Sequence, residues 1–473
     1  MKILLVQPGA ETQEHAFRMP AFPEPLALEV LAAHLPDHDV RILDLRIDNT
    51  LDAALGEFAP DIVGVTALTT EVYDAYLALD RARELLPDAV IVVGGIHASL
   101  MPRDFDRPSV DAIVKGEGEL TLKELVSAVE DARPLSSVPG MRVRMPDGGY
   151  VDTPERTERV QLDDAPLARR DLLASYRNHY HFHFHRPTFS IEAGRGCPFK
   201  CDFCSVWKMH PGKCRYASAE RVFAELESIE ATNTLFVDDH FLANVPRART
   251  LCEMIRASGM QKTYGMQARS DTIAQHPDLI ESWAKIGLGG VLIGFETPCP
   301  ERLKKLNKSN SLRNNNETIR ICKANGVDMW GAFIVNPDFE PEDFQRLLDY
   351  VSDRGIVLRQ FTVLTPLPGT PLFEREAERL VTRDYRLFDC LHSVLPTKLP
   401  REEFYRQFTR LYRRSYGLLA LLRSIFDRRV TMSDIRYLLP LVSRLCNYRA
   451  YLKSEEMQLA SAPAAATATS PAR

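Results

Sequence analysis

The stretch GRGCPFKCDFC, residues 194–204, holds three cysteines within eight residues. They are Cys197, Cys201 and Cys204, separated by three residues and then by two. Three thiolates can hold one small inorganic centre, but they cannot close a four-ligand zinc site without a further ligand such as His210 or Cys214. The spacing also lacks the two separated CxxC pairs that are typical of zinc sites. The stretch therefore favours an iron–sulfur cluster in which one iron stays open.

Short apolar runs alternate with helical patterns around this stretch. The apolar runs are Phe189–Ala193, Thr234–Val237, Lys262–Gln267, Gly290–Gly294, Met329–Val335 and Leu358–Leu364. The helical patterns are Ala219–Ile229, Pro246–Ala257, Pro277–Ile286, Leu312–Ala324, Pro341–Arg354 and Pro371–Leu380. Six strands, each followed by a helix, predict an open, partial (β/α)6 TIM-like barrel over residues 188–380. The reactive side chains of such barrels lie at the carboxyl ends of the strands.

Together with the strand before it, the cysteine triplet resembles the cluster motif of the radical S-adenosylmethionine (SAM) superfamily. The resemblance implies that the three thiolates hold a [4Fe–4S] cluster and that the amino acid end of SAM binds the open iron. Cys197, Cys201 and Cys204 are therefore the candidate catalytic residues and the candidate metal ligands.

The same resemblance assigns SAM-binding roles to side chains at the ends of three strands. Asp238 and Asp239 follow the second strand, where the superfamily contacts the SAM amino group. Arg269 follows the third strand and is placed to pair with the SAM carboxylate, a task that suits a guanidinium fork. Glu296 follows the fourth strand and would reach the SAM ribose or the substrate. For each acid the alternative is a surface ion pair or a helix cap.

The first 135 residues predict a separate α/β domain. Its apolar runs are Lys2–Val6, Val40–Leu45, Asp61–Thr66, Ala89–Gly94 and Asp111–Lys115. Helical patterns such as Leu26–Leu35 and Glu71–Leu86 lie between them. This alternation predicts a parallel sheet in a doubly wound, Rossmann-like or flavodoxin-like domain. Ligands of such domains bind beyond the carboxyl ends of the strands.

Small and polar residues follow several of these strands, and no GxGxxG follows the first, so a dinucleotide site is not expected. The candidate cofactor-binding residues here are Thr66, Thr69, Gly94, Gly95, His97, Gly116 and Glu117. VVGGIHAS at 92–99 and VDAIVKGEGE at 110–119 resemble the cobalamin-binding domain that precedes many radical enzymes. The DxHxxG motif of other cobalamin proteins is absent, because the first loop reads QPGAETQEH. His97 is a candidate cobalt ligand, with an ordinary turn histidine as the alternative.

A cobalamin-type domain followed by a radical SAM domain resembles the cobalamin-dependent radical SAM class, most of whose members methylate unactivated carbon. The implied cofactors are a [4Fe–4S] cluster, SAM and cobalamin. By this resemblance, one SAM methylates reduced cobalamin, and a second yields a 5′-deoxyadenosyl radical that removes hydrogen from a substrate carbon. That carbon then takes the methyl group from methylcobalamin. The alternative is an oxidative cyclase or methylase with the same cofactors that acts on a pigment or other natural product.

Further stretches resemble the hopanoid C-3 methylase group. They are CDFCSVWKMHPGKCRYAS from 201, FVDDHFLANVPRAR from 236, MQARSDTIAQHPDLI from 266, LTPLPGTPLF from 364 and LFDCLHSVLPTKLP from 387. The resemblance implies methylation of a hopanoid, or of a similar polycyclic isoprenoid lipid, and a one-electron donor such as flavodoxin or ferredoxin. Trp207 and Lys208 follow the cysteines, where substrate or cofactor would be met, and a packing aromatic is the alternative for Trp207.

The composition excludes several other classes. Of 473 residues, 45% are hydrophobic and 26% are charged, which is typical of a globular protein and not of a disordered or disulfide-stapled chain. A net charge of −5 argues against a strongly basic nucleic-acid binder. No apolar run approaches the roughly 18 residues of a membrane span, and the N-terminal run is too short for a signal peptide. We therefore expect a cytoplasmic protein whose nine cysteines are thiols or ligands.

The sequence after residue 380 changes in character. Residues 401–453 hold twelve Lys or Arg and only four acids, with apolar runs Leu418–Leu422 and Tyr437–Val442 at helical spacing. The pattern predicts a helical region at 381–456, either packed through its apolar stripe or docked on the inner face of an anionic membrane. Residues 136–187 are expected to form a linker, and the Ala/Ser/Thr/Pro-rich residues 457–473 a disordered tail.

Four histidines alternate in HYHFHFHRP, residues 179–187. On a strand, His179, His181, His183 and His185 would share one face. They would then span about 20 Å at about 3.3 Å per residue, which is too far for one metal ion. Contact of one of them with a cofactor or the substrate is the alternative.

Overall fold

The computed structural model describes residues 1–9, 21–182, 185–210, 214–356, 358–416 and 445–460. For residues 457–460 it describes the backbone only. The chain divides into two compact units. The first comprises Met1–Glu14, Phe22–Pro198 and Ser205–Asp239, and the second His15–Ala21, Phe199–Cys204 and His240–Arg473. Each unit thus contains part of the cysteine stretch.

A seven-stranded sheet forms the centre of the first unit. Its strands are β1 (Lys2–Gln7), β2 (Asp39–Asp44), β3 (Ile62–Thr66), β4 (Val90–Gly94), β5 (Ala112–Val114), β6 (Met141–Arg144) and β7 (Tyr150–Asp152). Their order is β2-β1-β3-β4-β5-β6-β7, with the first five parallel. The order 2-1-3-4-5 is that of flavodoxin-like folds, whose ligands bind at the carboxyl edge. The predicted doubly wound fold and its five strands are confirmed.

Helices pack on this sheet because its strands are apolar on both faces. They are α1 (Leu26–Ala33), α2 (Leu51–Phe58), α3 (Val72–Leu85), α4 (Ile96–Leu100) and α5 (Glu119–Glu130). On one face, Ile3 and Leu5 of β1 join Leu28 of α1 and Leu125 of α5 in one hydrophobic cluster. Near-complete burial of these side chains fixes the strand ends, and therefore the loops that follow them.

The sheet does not end near residue 135. Strands β6 and β7 form an antiparallel hairpin that extends it, inside the segment predicted to be a linker. Met141 and Val143 face the core, whereas Arg142 between them pairs with Asp106 and Asp152. The alternation of apolar and polar residues in β6 is only four residues long, and its polar positions are arginines. The sequence alone therefore indicates this strand only weakly.

The second sheet has six strands in chain order. They are β8 (Thr188–Ile191), β9 (Asn233–Phe236), β10 (Thr263–Gln267), β11 (Leu288–Glu296), β12 (Asp328–Val335) and β13 (Leu358–Val363). In the first unit β8 pairs with β9, and in the second β10 to β13 pair successively, all parallel. Phe295, Phe333 and Phe361 stack along three adjacent strands, with ring centroids 5.7 and 6.0 Å apart. The predicted partial barrel is confirmed.

The six predicted helices are found, and three short helices that were not predicted lie at Val206–Met209, Ser270–Gln275 and Pro300–Lys305. In chain order the helices are α6 (Val206–Met209), α7 (Ala219–Ser228), α8 (Val245–Ser258), α9 (Ser270–Gln275), α10 (Pro277–Lys285), α11 (Pro300–Lys305), α12 (Leu312–Ala324), α13 (Pro341–Asp353) and α14 (Pro371–Glu376). Ser218, Asn244, Ser311 and Thr370 cap four of them by accepting a backbone N–H from the first turn. Such caps begin the helices just after the strand-end loops and so limit the length of those loops.

The basic C-terminal region begins with α15 (Arg401–Tyr416), and α16 (Tyr448–Ala460) follows later in the chain. The apolar face of α15 is covered: Phe404 packs on Phe344 of α13, and Tyr405 stacks on Tyr451 of α16. This helix therefore packs as a cap. The apolar runs Leu418–Leu422 and Tyr437–Val442 and residues 461–473 lie outside the described residues. Among the helices that are described, none has the length and hydropathy needed to cross a bilayer.

The alternating histidines do not form one strand. His179 ends a helical segment, Arg170–His179, and His181 begins a two-residue strand. The chain then reverses, because the backbone groups of Phe182 and His185 exchange hydrogen bonds of 3.3 and 3.0 Å. The condition for a shared face, one continuous strand, is therefore not met by the described histidines, and His183 lies outside the described residues.

Gly95, between β4 and α4, has a φ of 97°, and a Cβ there would come within 2.8 Å of the Ala67 backbone. We expect Gly95→Ala to lower the free energy of unfolding of the first unit by about 2 kcal/mol or more, since such strain costs about 1–3 kcal/mol before any clash. Thermal and urea denaturation followed by circular dichroism measure the change.

The matched control is Gly56→Ala in α2, where a Cβ meets nothing within 4 Å. It should stabilise the protein by about 0.5–1 kcal/mol, because alanine restricts the unfolded chain. Equal effects of the two substitutions would contradict the strained turn at Gly95.

Candidate active site

The cysteine stretch follows β8 through a tight turn in which Gly196 has a φ of 88°. Cys197, Cys201 and Cys204 are not in disulfide bonds, nor are the other six cysteines, all of which the structure describes. Cys201 is buried, and the other two are partly exposed. A backbone hydrogen bond of 3.1 Å from Cys204 to Cys201 closes a turn between two of them. Three thiols on one short loop are the donor set that a [4Fe–4S] cluster with an open iron requires.

Cations surround Cys201 in the second unit. Burial raises the pKa of the Cys201 thiol, and Lys308 and Arg269 act in the opposite direction. Arg269 is also a hydrogen-bond partner of this thiol. Positive groups beside a sulfur favour the thiolate, which is the form that binds metal.

Arg269 is buried where β10 ends. Its guanidinium forks onto Asp271, with an Nη2–Oδ2 distance of 2.7 Å, and lies 3.4 Å from the ring centroid of Phe199 in the cysteine loop. It also donates to the carbonyls of Lys308 and Ser309 at 2.8 and 3.3 Å. Much of its donor capacity is thus used to hold the loops around Cys201. Its pairing with the SAM carboxylate stays a prediction.

Glu296 ends β11 in a left-handed conformation, with a φ of 62°, at an irregularity in the pairing with β12. Strained backbone of this kind is concentrated at functional sites. Its Oε1 accepts a hydrogen bond of 2.6 Å from Nζ of Lys308, and both residues are buried. Gly294 provides the space, because a Cβ there would lie 2.3 Å from Oε1 of Glu296. Sequence reasoning missed Lys308, since nothing in KKLNKSN separates it from the lysines before it.

Asp238 and Asp239 end up in different surroundings. Asp238 is buried, and its Oδ1 accepts the backbone N–H of Ala193 at 2.7 Å, which fixes the turn before the cysteines. Desolvation raises the pKa of Asp239 above its ordinary value, His210 opposes this, and Glu192 adds to it. Although neighbouring groups partly desolvate its carboxylate, Asp239 keeps exposed surface and is the more accessible of the two acids for a ligand amine. Contact of either acid with SAM stays a prediction.

His240 is buried in the second unit and was not among the predicted ligands. Its Nε2 lies 3.0 Å from Oγ1 of Thr272, and Nδ1 has no hydrogen-bond partner among the described residues. Burial, with Arg269 and Lys308 adding to its effect, lowers the pKa of His240 to about 4. The imidazole is therefore neutral at physiological pH, beside the ring of Phe199.

A cavity of about 360 Å³ lies at the carboxyl edge of the first sheet, within the first unit. Five of the predicted cofactor-binding residues line it: Thr66, Gly94, Gly95, Gly116 and Glu117. A Cβ at Gly116 would meet nothing within 4 Å, so the backbone there is open to a ligand. Much of the remaining lining is aliphatic, including Leu5, Leu28 and Leu122. These features fit the approach of a large, partly apolar cofactor such as cobalamin to the strand ends.

Thr69 and His97 do not line this cavity. His97 is buried, with Nε2 3.0 Å from Oδ2 of Asp104 and Nδ1 3.2 Å from Oγ1 of Thr69. Both ring nitrogens are therefore engaged, and the side chain holds the turn after β4. This is the arrangement of a turn histidine, the alternative given above, and a cofactor contact of His97 or Thr69 stays a prediction.

Ion pairs surround Glu117 on the cavity wall. Its Oε2 accepts a hydrogen bond of 2.9 Å from Arg195, which also pairs with Glu119 at 2.5 Å and with Glu192 at 2.8 Å. Arg215 and His210 contact its other oxygen. Burial alone would raise the pKa of Glu117, but His210 and the two arginines outweigh it and hold the pKa at about 2. Of this cluster, the sequence analysis named only Glu117 as a site residue. Glu119 stands in the same GEGE stretch, and Glu192 and Arg195 stand in EAGRGC at 192–197.

Comparison with known proteins covers both sheets. A B12 binding domain model matches residues 19–126, and a Radical SAM superfamily model matches residues 191–351. The hopanoid C-3 methylase of Methylococcus capsulatus is 31% identical over 439 residues, or 89% of this chain and 82% of that protein. The anaerobic magnesium-protoporphyrin IX monomethyl ester cyclase of Rubrivivax gelatinosus is 27% identical over 78% of this chain and 68% of that protein.

A solved structure shares the fold over nearly the whole chain. The cobalamin-dependent S-adenosylmethionine radical enzyme OxsB, with aqua-cobalamin and S-adenosylmethionine bound, matches with a TM-score of 0.70 and 17% identity, over 97% of this chain and 75% of that chain. The protein is thus a radical SAM enzyme with an N-terminal B12-binding domain. More narrowly, the chain belongs to the family of cobalamin-dependent radical SAM methyltransferases, whose cofactors are cobalamin, SAM and a [4Fe–4S] cluster.

Cys201→Ala should abolish the cluster, because two thiolates cannot hold it, and with it all 5′-deoxyadenosine formation from SAM. Iron and sulfide analysis and mass spectrometry of the nucleosides measure both losses. The control is Cys299→Ala, which removes a partly exposed free thiol outside the cysteine stretch. A Cys201 variant that still forms 5′-deoxyadenosine would contradict the assignment of the three ligands.

Glu117→Gln should destabilise the first unit in a pH-dependent way. A pKa held at about 2, below the ordinary 4.5, stabilises the fold above pH 4.5, and this contribution is lost as the pH falls towards 2. The melting-temperature difference between wild type and variant should therefore be constant near neutrality and shrink below about pH 4.5. Scanning calorimetry in acidic buffers measures it, with exposed Glu57→Gln as the control. A difference that grows in acid would contradict the ion-pair cluster.

Proposed function

We propose that this enzyme methylates an unactivated carbon of a polycyclic isoprenoid lipid, with the C-3 position of a hopanoid as the favoured substrate site. The observation that supports this is the 31% identity with a hopanoid C-3 methylase over 89% of the chain. That identity extends beyond both family models, since residues 19–126 and 191–351 cover much less of the chain.

The proposed cobalamin-binding residues lie at or after the ends of strands of the first sheet, and the proposed cluster- and SAM-binding residues lie at or after the ends of strands of the second. When bound, the cluster with SAM supplies a hydrogen-abstracting radical and cobalamin supplies the methyl group. Cys197, Cys201 and Cys204 hold the cluster, and Arg269 and Lys308 provide the positive charge beside it. Asp238, Asp239, Arg269 and Glu296 are the proposed SAM-binding residues. Thr66, Gly94, Gly95, Gly116 and Glu117 are the proposed cobalamin-binding residues.

An oxidative cyclase is the second candidate. The observation that favours it is the 27% identity with a magnesium-protoporphyrin IX monomethyl ester cyclase. The two reactions differ in their SAM products: methyl transfer yields S-adenosylhomocysteine together with 5′-deoxyadenosine, whereas cyclisation does not require the first. The nucleosides therefore distinguish the candidates before any lipid is identified.

The proposed partners follow from the reaction. Reduction of the cluster needs a one-electron donor, for which flavodoxin or ferredoxin is proposed. A lipid substrate would be met at the inner membrane surface, and the basic residues of 401–453 suit an anionic surface. In α15 only the charged face is available for such contact, because the apolar face is packed.

The test uses full-length protein, reconstituted anaerobically with its cluster and cobalamin, a strong reductant and methyl-deuterated SAM. Unmethylated hopanoid extract is added, and lipids and nucleosides are followed by mass spectrometry. The expected result is a lipid that carries one labelled methyl group, with both nucleoside products. The Cys201→Ala variant, treated identically, should give neither labelled lipid nor 5′-deoxyadenosine.

Two other outcomes are informative. 5′-Deoxyadenosine with S-adenosylhomocysteine but no labelled hopanoid would overturn the substrate and keep methyl transfer. 5′-Deoxyadenosine without S-adenosylhomocysteine would overturn methyl transfer and favour the cyclase.

A further inference from the structure

Residues 306–309 form a loop, here called the clasp loop, that holds the cysteine stretch within the second unit. The backbone N–H of Asp202 donates to the carbonyl of Leu306 at 3.3 Å. The side-chain amide of Asn307 donates to the carbonyl of Lys200 at 2.8 Å. The two attachment points flank Cys201, so the clasp loop fixes the backbone on both sides of this ligand.

The clasp loop is itself strained and anchored. Asn307 and Ser309 both have a φ of 51°, a conformation that non-glycine residues rarely adopt. Arg269 holds the segment between them by donating to the carbonyls of Lys308 and Ser309. Strain of this kind persists only where surrounding contacts over-determine it, and the result here is a fixed position for Lys308.

Lys308 differs from the other lysines nearby in sequence. It is only 8% exposed, whereas Lys304 and Lys305 of α11 lie in solvent. Its ammonium reaches Glu296 at 2.6 Å in the space that Gly294 leaves. Removing the lysine ammonium from water costs free energy, and the ion pair with Glu296 offsets that desolvation penalty only in part. If residue 308 had only to hold the clasp loop in place, a solvent-exposed lysine would do so without this penalty.

Lys308 and Arg269 place positive charge beside the segment that holds Cys201. Lys308 directly follows Asn307, whose side chain holds the carbonyl of Lys200. Arg269, which binds the carbonyl of Lys308, lies 3.4 Å from the ring centroid of Phe199. Both cations thus favour negative charge close to Cys201.

We propose that Lys308 is a positioning residue that sets the reduction potential of the cluster. One electron from an external reductant converts [4Fe–4S]²⁺ to [4Fe–4S]⁺ and adds one negative charge. A buried cation stabilises that charge more than an exposed one, because water screens it less. Lys308 and Arg269 thereby raise the potential and make the cluster easier to reduce. This inference rests on the cluster that the family uses and is independent of the proposed lipid substrate.

The test is a redox titration of the reconstituted full-length protein, with dithionite as the electron source and the EPR signal of the reduced cluster as the readout. Lys308→Gln should retain its iron and sulfide and shift the midpoint potential to a more negative value. Lys308→Arg, which keeps the charge, should stay close to wild type. The matched control is Lys305→Gln, which removes an exposed lysine three residues away and should leave the potential unchanged.

A double variant covers the case in which Lys308→Gln loses its cluster because Glu296 is left unpaired. Glu296→Gln with Lys308→Gln leaves no buried unpaired charge, and its potential should be more negative than that of Glu296→Gln alone, from which it differs only by the charge of Lys308. A wild-type potential in Lys308→Gln, equal potentials in the two Glu296→Gln proteins, or loss of the cluster from both Lys308→Gln proteins would overturn the proposal. Wild-type protein that holds no cluster after reconstitution would instead contradict the family cofactor.

Discussion

The first unit depends on the ion pairs that the buried guanidinium of Arg195 makes with three glutamates. Arg195 lies two residues before Cys197 and pairs with Glu117 from the loop after β5, with Glu119 at the start of α5, and with Glu192 from the loop after β8. Removing one partner of a buried pair typically costs about 3–5 kcal/mol, because the other charge stays desolvated. The start of the cysteine stretch is therefore held to the wall of the cavity on the first sheet. Arg195 thus links Glu117 and Glu192, which are 75 residues apart in sequence.

Different charged groups surround the two proposed cofactor sites. Acidic groups collect on the wall of the first-sheet cavity, where Glu117, Glu119 and Glu192 share Arg195, with Arg215 and His210 adding positive charge. Around Cys201 the dominant charges are the cations Lys308 and Arg269. A thiolate-bound cluster gains negative charge on reduction, so cations suit its site. Cations such as Lys308 and Arg269 on the cavity wall would instead compete with Arg195 for Glu117, Glu119 and Glu192, and would weaken the attachment of the cysteine stretch.

The positions of the strands could be predicted because they depend on the local pattern of apolar residues. The contacts of the site could not be predicted, since they depend on which side chains from distant parts of the sequence meet. The five strands of the doubly wound sheet and the six of the barrel are found where apolar runs predict them. The hairpin at 141–152 was missed, because its polar positions are occupied by arginines. His97 stands at the expected strand end, yet Asp104 and Thr69 take both its nitrogens. Lys308 could not be picked out in the sequence, since the left-handed turn at Glu296 and the space at Gly294 are what allow the Lys308–Glu296 pair to be buried.

Substrate choice has to come from groups other than those that hold the cofactors. An apolar polycycle offers few hydrogen-bonding groups, and one methylene in an apolar pocket discriminates by only about 1–3 kcal/mol. Selection of a single carbon would then depend on shape and on the orientation of the substrate. A carboxylated pigment would instead require a cation free to pair with it. The two buried cations that act on Cys201 are already paired, Arg269 with Asp271 and Lys308 with Glu296. A carboxylate that approached either of them, the proposed SAM carboxylate at Arg269 included, would have to compete with a buried acid for the cation.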